Sequence, residues 1–182
     1  MTPRPFRRAL VILFAGLAAT AFAGPAEDTE RAEQSYRSGD VVGAVALLRG
    51  AANANYAPAQ VRLAAILDAA EEDAAALELY RKAAAQGDAA GEYGVGLMHA
   101  KGEGTKKDGA EALRWYRQAA AKNYVPAIEA IAWAYLTGDL GLARDPNEAE
   151  AWGERAAKLG GRKPALPPVA KPGAASAAPA KK

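Results

Sequence analysis

Residues 90–123 read AGEYGVGLMHAKGEGTKKDGAEALRWYRQAAAKN, and this stretch decides the fold. Two segments of helix-forming composition flank the glycine-rich residues 101–108, which cannot be helical throughout and therefore predict a turn. Asp108 is a natural N-cap for the second helix. In that helix the apolar residues fall three and four positions apart and form one face: Ala112, Trp115, Tyr116, Ala119 and Ala120. The stretch thus predicts two helices joined by a turn.

The Ala-Ala pair near the end of this stretch occurs four times, at intervals of 32, 36 and 37 residues: Ala51-Ala52, Ala83-Ala84, Ala119-Ala120 and Ala156-Ala157. Four residues after the first alanine of each pair stands Asn55, Gly87, Asn123 or Gly160. Asn and Gly most readily take the left-handed conformation that closes a helix. A helix stop in the same phase of each repeat predicts a helical solenoid.

The composition between these stops indicates an all-α fold. The segments are rich in Ala, Leu, Glu, Arg and Lys, and none sustains a period-two alternation of β-branched residues. The 182-residue chain contains no Cys, so its stability must come from its core and not from disulfides. Residues 24–160 are enough for one domain, an α-solenoid of about four helix pairs.

The first 23 residues have the pattern of a secretory signal. Arg4, Arg7 and Arg8 precede an apolar run from Ala9 to Ala23 that ends in a small-x-small motif. The alternative is a retained membrane anchor, but the run is shorter than the ~20 residues that cross a bilayer. We therefore expect residues 1–23 to be a signal peptide cleaved after Ala23, and the mature protein to be periplasmic, without stable membrane insertion.

Residues 161–182 consist almost entirely of Pro, Ala, Gly and Lys and predict a disordered tail, because they cannot bury enough apolar surface to order themselves. Eight of the 23 basic residues lie in the signal or the tail, which leaves 15 basic against 21 acidic residues in 24–160. A mildly acidic domain argues against nucleic acid as a partner. The basic tail is a candidate for contacts with anionic surfaces, and its simpler interpretation is a solubilising extension.

The pattern resembles the Sel1-like repeat family, which is related to the tetratricopeptide repeats. In the third unit the residues that carry the resemblance are Gly96, Gly102-Glu103-Gly104, Asp108, Trp115-Tyr116 and Ala119-Ala120. In the fourth they are Tyr135, Gly138, Gly141, Asp145, Ala149, Trp152 and Ala156-Ala157. The second unit lacks the glycine turn, and residues 36–55 look like a degenerate first unit. The resemblance implies antiparallel helix pairs in a right-handed superhelix, with a concave surface used for protein–protein assembly.

We therefore expect a non-catalytic scaffold in the bacterial cell envelope that binds a protein or peptide in its concave groove. Two alternatives stay open: an envelope enzyme or binder of cell-wall or β-lactam ligands, and a structural or regulatory subunit of an envelope assembly. The β-lactam alternative comes from the resemblance, since cysteine-rich exported members have been linked to such ligands.

Catalytic motifs are not evident in the sequence, and we predict no catalytic residue, metal or cofactor. The single histidine, His99, corresponds by register to Tyr135 of the next unit, which predicts a packing role and not that of a general base. Glycines 94 and 96, and the glycine-rich turn, are not preceded by a strand as a phosphate-binding loop would be.

The partner-binding residues that we predict lie on the first helices of the units, which in the family's architecture line the concave side. They are Arg62, Tyr93, Glu129 and Trp133. By register Trp133 corresponds to Leu97 and Ala65, a variable position, whereas Trp115 corresponds to the face between helices. The alternative for Trp133 is packing against the neighbouring helix pair.

Overall fold

A computed structural model describes residues 24–162 of the chain. These residues form eight helices of 13 residues each and no strand: α1 (Pro25–Arg37), α2 (Val41–Asn53), α3 (Ala57–Ala69), α4 (Asp73–Ala85), α5 (Ala89–Lys101), α6 (Gly109–Ala121), α7 (Val125–Thr137) and α8 (Pro146–Lys158). Each odd-numbered helix packs on the helix that follows it and forms an antiparallel pair, and the four pairs stack in chain order. The all-α solenoid predicted from the repeats is confirmed. Its first helix pair begins at Pro25, before the degenerate unit predicted at residues 36–55.

The four predicted helix stops close the second helix of every pair. Asn55, Gly87, Asn123 and Gly160 all have positive φ, between 59° and 84°. The residue after each stop donates its N–H to the first alanine of the Ala-Ala pair, with N–O distances of 2.9–3.2 Å to the carbonyls of Ala51, Ala83, Ala119 and Ala156. Each of these hydrogen bonds runs from an N–H to the carbonyl five residues earlier. They give a partner to carbonyls that would otherwise have none at the helix end.

Aspartates begin four of the helices. The carboxylates of Asp40, Asp88, Asp108 and Asp145 accept backbone N–H groups of the first helical turn at 2.8–3.0 Å. The predicted N-cap at Asp108 is therefore confirmed. Because all helices have equal length, the shorter second unit differs from the third in its turn: three residues, 70–72, join α3 to α4, whereas seven, 102–108, join α5 to α6.

The core is a chain of three apolar clusters, each shared by successive helix pairs. The first alanine of every Ala-Ala pair is at most 1% exposed, which lets the helices approach closely. Ala157, in the last pair, is exposed. Among the described residues no further helix pair follows α8 to cover it, as expected at the end of a stack.

The aromatic pair of α6 divides between core and surface. Tyr116 is 4% exposed, and its ring occupies the space that a Cβ at Gly96 would need. Trp115 is only partly buried: its Nε1 donates to the Glu111 carboxylate at 2.7 Å, and the Arg114 guanidinium lies 4.7 Å from its ring. Trp115 packs against the apolar cluster formed by α3, α4 and α5, as predicted, but Tyr116 is the more enclosed aromatic.

The first helices of the pairs form one face of the stack. α1 packs against α3 and α3 against α5, whereas within residues 24–162 no comparable contact joins the second helices of successive pairs. First helices that lie closer together than second helices place α1, α3 and α5 on the inner side of a curved stack, and α7 belongs to the same face because it shares a pocket with Tyr93 of α5. We call the face formed by these four helices the inner surface.

Candidate functional site

Three of the four predicted partner-binding residues meet in one open pocket on the inner surface. Tyr93 of α5 and Glu129 and Trp133 of α7 line a volume of about 340 Å³ together with Pro126, Ala130 and Arg162. We call this volume the Trp133 pocket. Trp133 is 55% exposed and is one of only five large hydrophobic residues exposed in the described part of the chain. More than half of Trp133 is therefore accessible to solvent within the described part of the chain.

Tyr93 forms the rigid wall of the pocket. Its ring stacks on Tyr116 at a centroid distance of 5.3 Å and lies 5.6 Å from the ring of Tyr124, which precedes α7. Burial raises the pKa of the Tyr93 phenol, and the nearby charge of Glu129 raises it further. The phenol is thus neutral at physiological pH, and Tyr93 offers only part of its ring to a ligand.

Glu129 is already in contact with the chain's own C-terminal part. Its Oε1 accepts the backbone N–H of Arg162, which follows α8. The packed structure therefore extends two residues beyond the predicted boundary at Gly160, to Gly161 and Arg162. The predicted signal (1–23) and the remaining tail (163–182) lie outside the described residues.

Arg62 lies on the inner surface but not in the Trp133 pocket. Its guanidinium forms an ion pair with Glu33 of α1 at 2.9 Å, and both side chains line a separate hollow between α1 and α3. The pair is largely solvated, so it contributes little to stability. The inner surface thus has a charged hollow near its beginning and an aromatic pocket near its end.

Sequence reasoning missed two residues of α7 that complete the pocket. Pro126, Glu129, Ala130 and Trp133 stand at positions i, i+3, i+4 and i+7, the spacing of one helix face. That spacing could have identified Pro126 and Ala130 once Glu129 and Trp133 were chosen. The contribution of Arg162 has no such signal, because it depends on where the chain turns after α8.

His99 lies in the last turn of α5, partly buried. Its backbone carbonyl accepts the N–H of Asp108 at 2.8 Å, and the carbonyl of Tyr135 accepts that of Asp145 at 2.9 Å. The two residues are therefore equivalent, as the register predicted. Across residues 24–162 no cluster of three or more His, Cys, Asp or Glu residues could hold a metal ion. None of the helices in that range has the length and apolar character needed to cross a membrane.

Stacked antiparallel helix pairs with an open aromatic pocket on the inner surface define a helical-repeat protein of the solenoid class. The chain belongs to the Sel1 repeat family: Sel1 repeats match residues 57–88, 89–124 and 125–161, which is more than half of the chain. Proteins of this family generally mediate protein–protein interactions and are typically scaffolds without enzymatic activity. The pair α1–α2 precedes the first matched repeat.

Two curated proteins show similarity in sequence. An uncharacterised protein of Neisseria meningitidis serogroup B is 40% identical over 80 residues, which are 44% of this chain and 16% of that protein. Chitin synthase regulatory factor 3 of Schizosaccharomyces pombe is 37% identical over 86 residues, 47% of this chain and 9% of that protein. The match thus spans less than a fifth of either relative.

Two solved structures share the fold, each with a TM-score of 0.66. The protein c5321, a protective antigen of uropathogenic Escherichia coli with an SLR fold, is 29% identical, over 76% of this chain and 31% of that one. A Sel1 repeat protein from Oxalobacter formigenes is 28% identical, over 79% of this chain and 62% of that one.

Proposed function

We propose that the protein is a non-catalytic scaffold of the bacterial cell envelope that holds a segment of another protein on its inner surface. The observation that carries the proposal is the exposed indole of Trp133 beside the half-buried ring of Tyr93 and the carboxylate of Glu129. A few residues dominate the binding energy of many protein interfaces, and Trp is enriched among them.

The chemistry of the pocket favours an extended segment with an apolar or proline side chain and a nearby N–H or cation. Trp133 and Tyr93 offer aromatic faces, and Glu129 offers a hydrogen-bond acceptor, as its bond to the Arg162 N–H illustrates. The charged hollow around Arg62 and Glu33 lies farther along the same surface and can contact a longer partner.

The location in the envelope rests on the N-terminal sequence pattern. Arginines followed by a short apolar run and a small-x-small site support export and cleavage after Ala23. N-terminal sequencing of the protein from the envelope fraction should therefore begin at Gly24. A protein that still carries Met1 in that fraction would contradict cleavage.

The binding role can be tested with Trp133→Ala and co-purification from envelope extracts. Trp133 is more than half exposed, so the substitution should leave the melting temperature close to that of the wild type. The dissociation constant of an identified partner should rise about 30-fold, which corresponds to an anchor residue worth about 2 kcal/mol.

Val42→Ala is a matched control, because Val42 is 82% exposed but lies on α2, outside the inner surface. It should leave partner affinity unchanged. Equal losses of affinity in both variants, or undiminished affinity in Trp133→Ala, would remove the Trp133 pocket as the binding site.

A further inference from the structure

The chain turns from α8 directly onto the inner surface. Gly160 closes α8 with a φ of 84°, and the Gly161 N–H bonds the Ala156 carbonyl at 2.9 Å. A Cβ at Gly161 would lie 2.4 Å from Cγ1 of Val125 and 2.9 Å from Oε1 of Glu129. Gly161 is therefore pressed against the first turns of α7, at a distance that a larger residue could not adopt without displacing its neighbours.

The next residue brings the chain to the edge of the Trp133 pocket. The Arg162 N–H is held by Glu129, and Arg162 is itself part of the lining. Trp133 lies one helical turn beyond Glu129, about 6 Å along α7. The 20 residues that follow Arg162 thus start beside the exposed indole.

The first seven of these residues have the composition that such a pocket accepts. Residues 163–169 read KPALPPV, which is one lysine, three prolines and three other apolar residues. Proline-rich segments favour the polyproline II conformation and dock on aromatic grooves at a low cost in entropy. At about 3.1 Å per residue, Pro168 can reach about 19 Å from Arg162, so each of the three prolines can contact Trp133.

The charge of the segment is also complementary to that of the folded part of the chain. Lys163 follows the residue that Glu129 holds, and the folded part of the chain carries an excess of acidic over basic residues. A tethered segment has an effective concentration in the millimolar range, so that even weak contacts populate the bound state.

We propose that residues 163–169 of this chain occupy the Trp133 pocket, as an intramolecular ligand that an external partner must displace. The inference deepens the proposed function, since it assigns to the same pocket both a class of ligand, an extended proline-containing segment, and a means of regulation by competition.

The contact can be measured without any partner, by NMR of the ¹⁵N-labelled protein. The three tryptophans give three indole N–H signals, and the signal of Trp133 is assigned by its loss in Trp133→Phe. In a variant that combines Pro167→Ser with Pro168→Ser, the Trp133 signal should shift, while those of Trp115 and Trp152 stay in place.

The matched control combines Pro172→Ser with Pro179→Ser, two prolines of the same tail beyond the proposed segment. It should leave all three signals unchanged. A Trp133 signal that is the same in the wild type and the Pro167/Pro168 variant would overturn the proposal, as would an equal shift in the control.

Dilution separates the chain's own tail from that of a second copy. The difference between the wild type and the Pro167/Pro168 variant should persist over a tenfold dilution, and its disappearance would overturn the intramolecular assignment. Failure of this test is distinguishable from failure of the proposed function, because partner capture by Trp133 is measured separately and does not require a tail contact.

Discussion

At the scale of single residues, two glycines of α5 determine how closely the helices approach. A Cβ at Gly94 would lie 2.2 Å from the ring of Tyr80, and one at Gly96 would lie 2.7 Å from the ring of Tyr116. Tyr80 and Tyr116 are both almost fully buried. These glycines therefore leave room for core aromatic rings of the adjacent helices. They do not form a phosphate-binding motif.

Gly94→Ala should destabilise the protein by about 1–3 kcal/mol, because Tyr80 must move from a close-packed position. Gly50→Ala is the control: Gly50 is an exposed residue of α2 with nothing within 4 Å of an added Cβ. It should stabilise by about 0.5–1 kcal/mol through helix propensity alone. Both changes in the free energy of unfolding can be measured by urea unfolding. A stabilising Gly94→Ala would show that the Tyr80 ring does not require a glycine at position 94.

At the scale of the element, helix stops are equivalent between units even where their residues differ. Gly87 and Gly160 have φ values of 80° and 84°, and Asn55 and Asn123 have 59° and 60°. Asn is the residue other than Gly that most readily takes this conformation. Gly and Asn alternate at this position of the repeat because the backbone there must adopt a positive φ.

Gly87→Val should lower the free energy of unfolding by roughly 1 kcal/mol or more, since a β-branched residue is strained at positive φ. Gly87→Asn should cost much less, because Asn already occupies two of the four equivalent positions. Thermal melting of both variants tests the idea. If Val were tolerated as well as Asn, the left-handed stop would not matter for stability.

At the scale of the whole molecule, polar side chains connect each unit to the one before it. Gln86 donates to Asn55 at 3.3 Å, Lys122 donates to the carbonyl of Gly87 at 2.7 Å, and Arg155 donates to Asn123 at 3.1 Å. Lys122 also pairs with Glu92, whose side chain is 8% exposed, at 2.7 Å. Polar contacts thereby connect the C-terminal ends of the second helices from one pair to the next.

Lys122→Met should destabilise the protein by about 1–3 kcal/mol, because it leaves the Glu92 carboxylate buried without its cation. Lys82→Met is the control, since the pair of Lys82 with Glu78 is solvent-exposed and its loss should leave the free energy of unfolding nearly unchanged. Adding Glu92→Gln to Lys122→Met should recover part of the loss in denaturant unfolding. No recovery would show that the ion pair is not the cause.

Local sequence determined most of the architecture. The phase of the Ala-Ala pairs and of the Asn or Gly stops predicted the helix pairs and the ends of their second helices, because these features depend on backbone conformation and on residues within one or two turns. It also predicted the equivalence of His99 with Tyr135, and that Trp133 stands at a variable position of a first helix.

Only the tertiary structure decided which residues share a pocket. Tyr93 and Trp133 are 40 residues apart and line one pocket because α7 packs on α6 and so stacks the last helix pair on the third, whereas Arg62 is one helix pair removed and engages Glu33. The return of Gly161 and Arg162 onto Glu129 requires the glycines that follow α8, but the sequence alone does not show which residue they meet. That contact depends on the direction in which α8 ends against α7, because the packing of the last two helices sets where the chain leaves α8.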